Sequence, residues 1–187
     1  MKTKDEIDKI KASVLYILTQ FPGGIDFIKL FKIMYFAEKE HLINYGRSIT
    51  GDSFHALKHG PVPSFTYKAI QVNQGKMKET ADLNEIAAAI IISEDKIYAK
   101  LNADRDELSI SDMRCLDSAI NEYRNADSYA LSDFSHSDAA WKEAYSRSQD
   151  DPEKNKITLI DMARSGNAPK DIINKIRESE QIKMAFA

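Results

Sequence analysis

Two prolines and a glycine within four residues, Gly60-Pro61-Val62-Pro63, constrain the backbone of this chain more than any other segment. Proline fixes its own φ, lacks an N–H donor and disfavours a helical conformation at the residue before it. Glycine adopts backbone conformations that are closed to other residues. We therefore expect one locally encoded shape, a rigid turn. The turn is predicted to redirect the chain into a helix that begins near Val62, with Pro63 in its first turn.

Apolar residues at helical spacing predict helices on both sides of this turn. Thr3 and Glu6 have the spacing of a capping box at the start of the first helix, and Pro22-Gly23-Gly24 ends it. A second helix is expected over residues 25–42 and a third over residues 63–73. A helix that is apolar nearly all round can present to a partner the surface that the core does not bury. The second helix is of this kind, since it carries Phe27, Phe31, Met34, Tyr35 and Phe36, and we expect most of its apolar surface to be core.

The rest of the chain predicts further helices and a hairpin. The β-branched run Ile90-Ile91-Ile92, the polar pair Glu94-Asp95 and residues 96–100 are typical of a hairpin. Residues 53–57 predict a short strand, and Ser111 is expected to cap a long helix. The other segments are a brief helix or lead-in over 82–89, a helical pair over 131–145 joined at 135–137, a polar loop over 147–156, and closing helices over 157–164 and 168–182. The expected fold is mainly α (α+β), a helical domain with a small antiparallel β element.

The composition is that of an ordinary soluble globular protein. Apolar residues make up 43% and charged residues 29% of 187 residues, a length that fits one domain over residues 1–187. No apolar run approaches the roughly 20 residues that a membrane span needs, and the charged segment 1–6 is unlike a secretory signal. Cys115 is the only cysteine, which excludes an internal disulfide and a cysteine zinc cluster. We expect a cytoplasmic protein without membrane contact.

Charge is distributed unevenly along the chain. Residues 1–80 carry 12 Lys and Arg against 8 Asp and Glu, a net of +4, whereas residues 81–187 carry 14 against 21, a net of −7. The acidic half has two interpretations, ordinary surface variation or a face that covers a basic partner. The net acidic balance disfavours non-specific binding to nucleic acid, which depends on neutralising phosphates.

Two histidine patterns have both a chemical and a structural interpretation. His55 and His59 are four residues apart, which would suit a metal on a helix, but their segment is expected to be extended. A structural role in fixing the Gly60-Pro61 turn is therefore favoured. Ser135-His136-Ser137-Asp138 contains hydrolase residue types, although a catalytic relay is formed by geometry rather than by neighbours in sequence. The alternative is a helix start capped by Ser135 or Ser137, with Trp141 packed near His136.

No other pattern predicts catalysis. Asp52 could hold a cation, but a side chain that bonds its own loop backbone is favoured. The chain contains no phosphate-binding loop, dinucleotide-binding or metalloprotease motif. We therefore predict no cofactor, no metal and no catalytic residue.

Two blocks of sequence are informative when taken together. The first contains Leu30 to Glu38, then Ile49-Thr50-Gly51-Asp52-x-Phe54-x-Ala56, then Gly60-Pro61-Val62-Pro63. The second is Leu131-Ser132-x-Phe134-Ser135-His136-x-x-x-x-Trp141. These blocks resemble the signature of the Panacea domain, the SocA-like antitoxin domain of bacterial and prophage toxin–antitoxin operons, with Ser135 where the family usually has threonine. The resemblance spans roughly residues 10–145 and leaves residues 157–187 as C-terminal helices.

The resemblance implies a bacterial or phage protein that is not an enzyme and that neutralises a cognate toxin by direct protein–protein binding. In one type of member the domain also delivers the toxin to a protease such as ClpXP. The candidate partner-binding residues are the family-like positions where shape matters most: Phe54, His55, Pro61, Val62, Tyr67 and Trp141.

Two alternatives belong to other functional classes. One is a DNA-binding regulator of a prophage or toxin–antitoxin operon, in which the N-terminal helices and a hairpin would imitate a winged helix. A basic stripe along one helix would support it, whereas the acidic balance does not. The other is a hydrolase of unknown type that uses His136 and Asp138, which requires His136 beside a nucleophile in a cleft.

Overall fold

The computed structural model describes residues 2–185, which form nine α-helices and two small antiparallel sheets. The helices are α1 (Lys4–Thr19), α2 (Phe27–Tyr45), α3 (Ser64–Asn73), α4 (Ala81–Ala87), α5 (Ile110–Tyr123), α6 (Ser128–Ser135), α7 (Ala139–Asp150), α8 (Leu159–Ser165) and α9 (Lys170–Ala185). The strands are β1 (Ile25–Asp26), β2 (Phe54–Leu57), β3 (Gly60–Pro63), β4 (Ile90–Ser93), β5 (Lys96–Ala99) and β6 (Lys156–Ile157). The predicted fold class, mainly helical with a small antiparallel β element, is confirmed. Within these residues, no helix combines the length and the apolar character needed to span a membrane.

Helix α2 lies at the centre of the fold and packs against α1, α5, α6, α8 and β3. It begins after Asp26, whose carboxylate accepts a hydrogen bond from Lys29 N at 3.0 Å. It ends at Gly46, where φ is +66°. The aromatic side chains of Phe31 and Tyr35 are buried, whereas Phe36 is only partly buried. Most of the apolar surface predicted for this helix is therefore core.

The capping box predicted at the N-terminus is present. Thr3 Oγ1 accepts from Glu6 N at 3.2 Å, and Thr3 N donates to Glu6 Oε2 at 3.1 Å. The predicted hairpin is also confirmed as β4–β5, which continues through β1 into the order β1-β5-β4. Its two turn residues, Glu94 and Asp95, have φ of +49° and +64°, as a tight two-residue hairpin turn requires.

The segment Gly60–Pro63 is a strand, and the prediction that it is a turn is wrong. It forms β3, which pairs antiparallel with β2 through the turn Lys58-His59, while β6 pairs with the other side of β2. Alternate residues of an antiparallel pair bond to the partner strand. Ser64 N donates to Ser53 O at 2.8 Å, so the even-numbered residues of this strand face β2 with their N–H groups. Pro61 and Pro63 are odd-numbered, and their nitrogens therefore point away from β2. An edge strand accommodates prolines in this register.

Several predicted boundaries also differ. Pro63 precedes α3 as its N-cap instead of lying in its first turn. Helix α5 is capped by Ser109 and not by Ser111, because Ser109 forms the capping box with Asp112. Helix α7 is capped by Asp138 rather than by Ser135 or Ser137. The predicted polar loop over 147–156 is shorter, since α7 extends to Asp150 and a 3-10 turn (Pro152–Asn155) leads into β6.

Candidate functional site

A buried lysine lies beneath the β2–β3 hairpin. Lys32 on α2 is 1% exposed, and its Nζ donates to Pro61 O at 3.1 Å. Burial lowers the pKa of this amine from its ordinary value to about 7. The side chain of Lys32 also restricts which residue can occupy position 60. A Cβ on Gly60 would lie 2.6 Å from Lys32 Cε and would collide with Ser135 Oγ, and Gly60 has φ of +97°.

Helices α6 and α7 also hold this hairpin. Ser132 Oγ donates to His59 O at 3.1 Å, and Trp141 Nε1 donates to Leu57 O at 3.1 Å. Together with Lys32, these side chains satisfy three carbonyl groups of the hairpin, one before, one within and one after its two-residue turn. We call this arrangement the hairpin clamp; its donors are Lys32, Ser132 and Trp141. It fixes the path of the turn while the side chains of residues 57–59 stay exposed.

Aromatic stacking holds the tryptophan of the clamp in place. The ring of Trp141 stacks on His136 with a centroid distance of 4.1 Å and on Tyr145 at 4.7 Å. The contact predicted between Trp141 and His136 is therefore present. Burial lowers the pKa of His136, and the nearby Lys32 acts in the same direction. A neutral imidazole is thus favoured in this stack.

Two carboxylates anchor the loop that leads into the hairpin. Glu38 on α2 is buried, and it accepts from Ile49 N at 3.0 Å and from Thr50 N at 3.2 Å. Burial raises the pKa of this carboxyl, and the hydrogen bonds oppose the rise. Asp52 bonds its own loop at Ser53 N, as predicted. It also accepts from Phe65 N at 2.9 Å and Thr66 N at 3.0 Å, so it caps α3, whose N-cap Pro63 has no side-chain acceptor.

The candidate residues chosen from the sequence lie in three environments: the core, the hairpin clamp and the partly exposed surface. Phe54 and Val62 are buried in the core, and Pro61 and Trp141 belong to the hairpin clamp. His55 is half-buried and its Nδ1 lies 2.7 Å from Asn155 Oδ1. Tyr67, 37% exposed, lies on α3 and meets Phe31 edge-on.

Sequence reasoning missed the central residue of the clamp, Lys32. The sequence feature that points to Lys32 is its position between the apolar neighbours Phe31 and Ile33 on a helix that is apolar nearly all round. A lysine on such a helix is either exposed at its one polar edge or buried with a partner. Only the position of the hairpin, which is distant in sequence, decides between these two outcomes.

The residues of the hydrolase hypothesis have other partners. Ser135 Oγ donates to Ser132 O at 2.7 Å, and the carboxylate of Asp138 pairs with Lys39 Nζ at 2.5 Å. His136 has Asp133 as its nearest acidic neighbour, at 4.0 Å. Among residues 2–185, no three His, Cys, Asp or Glu side chains form a group that could hold a metal ion.

Comparison with known families shows the family to which the chain belongs. The family model described as antitoxin SocA-like, Panacea domain, matches residues 30–142, which is more than half of the chain. This chain belongs to that family. The matched range begins two residues before Lys32 and ends one residue after Trp141, so it contains every residue of the hairpin clamp. Searches of curated proteins and of solved structures each give no match.

Family membership gives a general role. An antitoxin-like domain implies a toxin as its partner and suggests a role without catalysis. Both sequence blocks that carried the resemblance lie within the matched residues. The structure brings these blocks together, since Ser132 and Trp141 of the second bind the hairpin formed by the first.

Proposed function

We propose that this chain is an antitoxin that neutralises its cognate toxin by direct protein–protein contact, and that the hairpin clamp fixes part of the contact surface. The observation that carries the proposal is the clamp itself. Three buried or largely buried side chains, Lys32, Ser132 and Trp141, fix one short turn whose own side chains are exposed.

The clamp favours binding through preorganisation. Association loses free energy whenever loops and side chains must be ordered at the interface. A hairpin whose carbonyls at Leu57, His59 and Pro61 are already bonded needs little further ordering. The exposed side chains of Leu57, Lys58 and His59 then form a defined apolar and polar surface that a toxin can contact.

The proposal is tested with the product of the neighbouring gene. We expect that co-expression relieves any growth arrest caused by that product and that the two proteins purify as a stoichiometric complex. Lys58→Glu combined with His59→Glu should weaken the complex without lowering the melting temperature. The matched control is Lys76→Glu with Lys78→Glu, on the exposed loop between α3 and α4.

Two results would contradict the proposal. One is that the turn variant and the control bind the toxin equally well. The other is that the protein alone binds operator DNA specifically and binds no neighbouring product, which would support the regulator instead.

The adaptor role is a finer version of the same proposal. A simple antitoxin leaves the bound toxin intact, whereas an adaptor shortens its lifetime in the presence of a protease. We propose to measure the half-life of the toxin with ClpXP and ATP, with and without this chain. A half-life that does not change would restrict the function to neutralisation.

A further inference from the structure

A groove with aromatic and acidic walls opens beside the hairpin clamp. It lies between α2, α5 and the α6–α7 junction and has a volume of about 500 Å³. We call it the acidic–aromatic groove and define it by Phe36, Glu40, Glu122, Tyr123 and Phe134. None of these residues contributes to the hairpin clamp.

The apolar part of the groove is an aromatic cluster that is incompletely covered. The ring of Phe36 lies 4.7 Å from Tyr123 and 5.5 Å from Phe134, measured between centroids. Phe134 is nevertheless 53% exposed. A large aromatic side chain exposed at the edge of a groove can gain free energy when a partner covers it. Ile43 and Ala119 extend the apolar lining.

The charged part of the groove carries an excess of carboxylates. Lys39 and Asp138 neutralise each other through their ion pair. In the described part of the chain, neither Glu40 nor Glu122 has a cationic group within 4.0 Å. The pKa of the Tyr123 hydroxyl is raised first by burial and then by Glu122 and Glu40, whose negative charges disfavour a phenolate. Two negative charges therefore line the groove beside its aromatic cluster.

We propose that the acidic–aromatic groove binds an amphipathic segment of the toxin in which a Lys or Arg is flanked by apolar side chains. The inference rests on the proposed antitoxin function. The cation would lie between Glu40 and Glu122, and the apolar side chains would cover Phe36 and Phe134. An amphipathic helix that places its apolar face in a groove between helices is a common mode of peptide recognition.

Charge selects this occupant over the others. A phosphate group of a nucleic acid or a lipid would be repelled by Glu40 and Glu122. An apolar segment without a cation would leave two carboxylates in a newly buried site without partners, which is costly. A basic amphipathic segment pairs with the carboxylates and covers the aromatic side chains. The attraction between opposite charges would also accelerate its encounter with the acidic half of the chain.

The first experiment measures binding of the toxin to groove variants. Glu40→Lys with Glu122→Lys should raise Kd by at least about tenfold. The matched control reverses the same number of charges outside the groove, at Asp171 and Glu178 of α9, which are exposed. Phe134→Ala should raise the dissociation rate. Its side chain is mostly exposed, so it tests the groove even if the double reversal fails to fold.

The second experiment does not need the toxin. A synthetic amphipathic peptide of leucine and lysine is titrated into the ¹⁵N-labelled protein, and the same peptide with glutamate in place of lysine serves as the control. We expect chemical-shift changes at Phe36, Ala119, Tyr123 and Phe134 with the lysine peptide only. Equal effects of both peptides, or changes confined to other surfaces, would overturn the groove proposal.

The two experiments separate the two proposals. If the toxin binds wild type and the groove variants equally, the groove proposal fails and the antitoxin proposal stands. If the lysine peptide maps to the groove but no neighbouring product binds, the antitoxin proposal fails, and with it the toxin as the occupant. If the wild type self-associates and the groove variants are monomers, the groove is an interface between copies and the toxin segment is excluded.

Discussion

Lys32 couples the stability of the fold to pH. Its pKa is about 7 in the folded chain, against an ordinary value of 10.5. Between these values the unfolded chain binds a proton that the folded chain does not bind. The free energy of unfolding therefore rises as pH increases from about 7 towards 10, by up to a few kcal/mol. Below pH 7 the amine binds a proton in both the folded and the unfolded chain, so the increase in the free energy of unfolding that this group supplies at higher pH is absent.

Lys32→Met should remove this pH dependence. Urea unfolding is measured between about pH 7 and pH 9 for wild type, Lys32→Met and the exposed control Lys68→Met. Other titrating groups, such as Cys115, whose pKa burial raises to about 12, contribute equally to all three proteins and cancel in the difference. Parallel curves for wild type and Lys32→Met would show that the amine does not titrate in this range.

Gly60 should tolerate no side chain. An added Cβ would meet Lys32 Cε at 2.6 Å, and the positive φ adds backbone strain for any other residue. We expect Gly60→Ala to lower the free energy of unfolding by about 1–3 kcal/mol or more. Gly23→Ala is the matched control, because an added Cβ there meets no atom within 4 Å. Equal melting temperatures for the two variants would contradict the close packing of the hairpin on Lys32.

At the scale of elements, local signals were sufficient where the determinants lie within a few residues. The capping box of Thr3 and Glu6 and the hairpin turn at Glu94-Asp95 depend on neighbours in sequence, and both were predicted correctly. Strand β3 was missed because its conformation depends on pairing with β2 and on packing against Lys32 and α6. The hairpin clamp joins residues about 29 to 84 positions apart in sequence, so no local pattern could reveal it.

The prolines of β3 should stabilise it mainly by restricting the unfolded chain. Replacing Pro61 or Pro63 by Ala should lower the free energy of unfolding by roughly 0.4–1 kcal/mol each. The new N–H groups would also point away from β2 at buried positions, which adds a desolvation cost. Urea unfolding of each single variant measures the loss. An unchanged midpoint would mean that the prolines do not restrict this strand.

At the scale of the whole molecule, we propose that residues 1–187 form one domain. A single cluster of buried apolar residues contains Ile10 of α1, Leu30 of α2, Leu116 of α5, Trp141 of α7 and Ile176 of α9. Thermal unfolding should therefore be one cooperative transition. Trp141, the only tryptophan, reports on the hairpin clamp by fluorescence, and far-UV circular dichroism reports on all helices. Two transitions at different temperatures would contradict a single domain.

The acidic C-terminal half should control how fast the chain meets a basic toxin. Residues 81–187 carry a net charge of −7, and such a field accelerates encounter but is screened beyond about 8–10 Å at physiological salt. Asp150 and Glu153 are exposed, whereas Asp151 caps the 3-10 turn through Glu153 N at 3.1 Å and must be left in place. Asp150→Lys with Glu153→Lys should therefore lower the association rate at low salt and leave the dissociation rate nearly unchanged. Stopped-flow association over a range of salt concentrations measures this effect. An association rate that does not depend on salt would exclude steering by the acidic half.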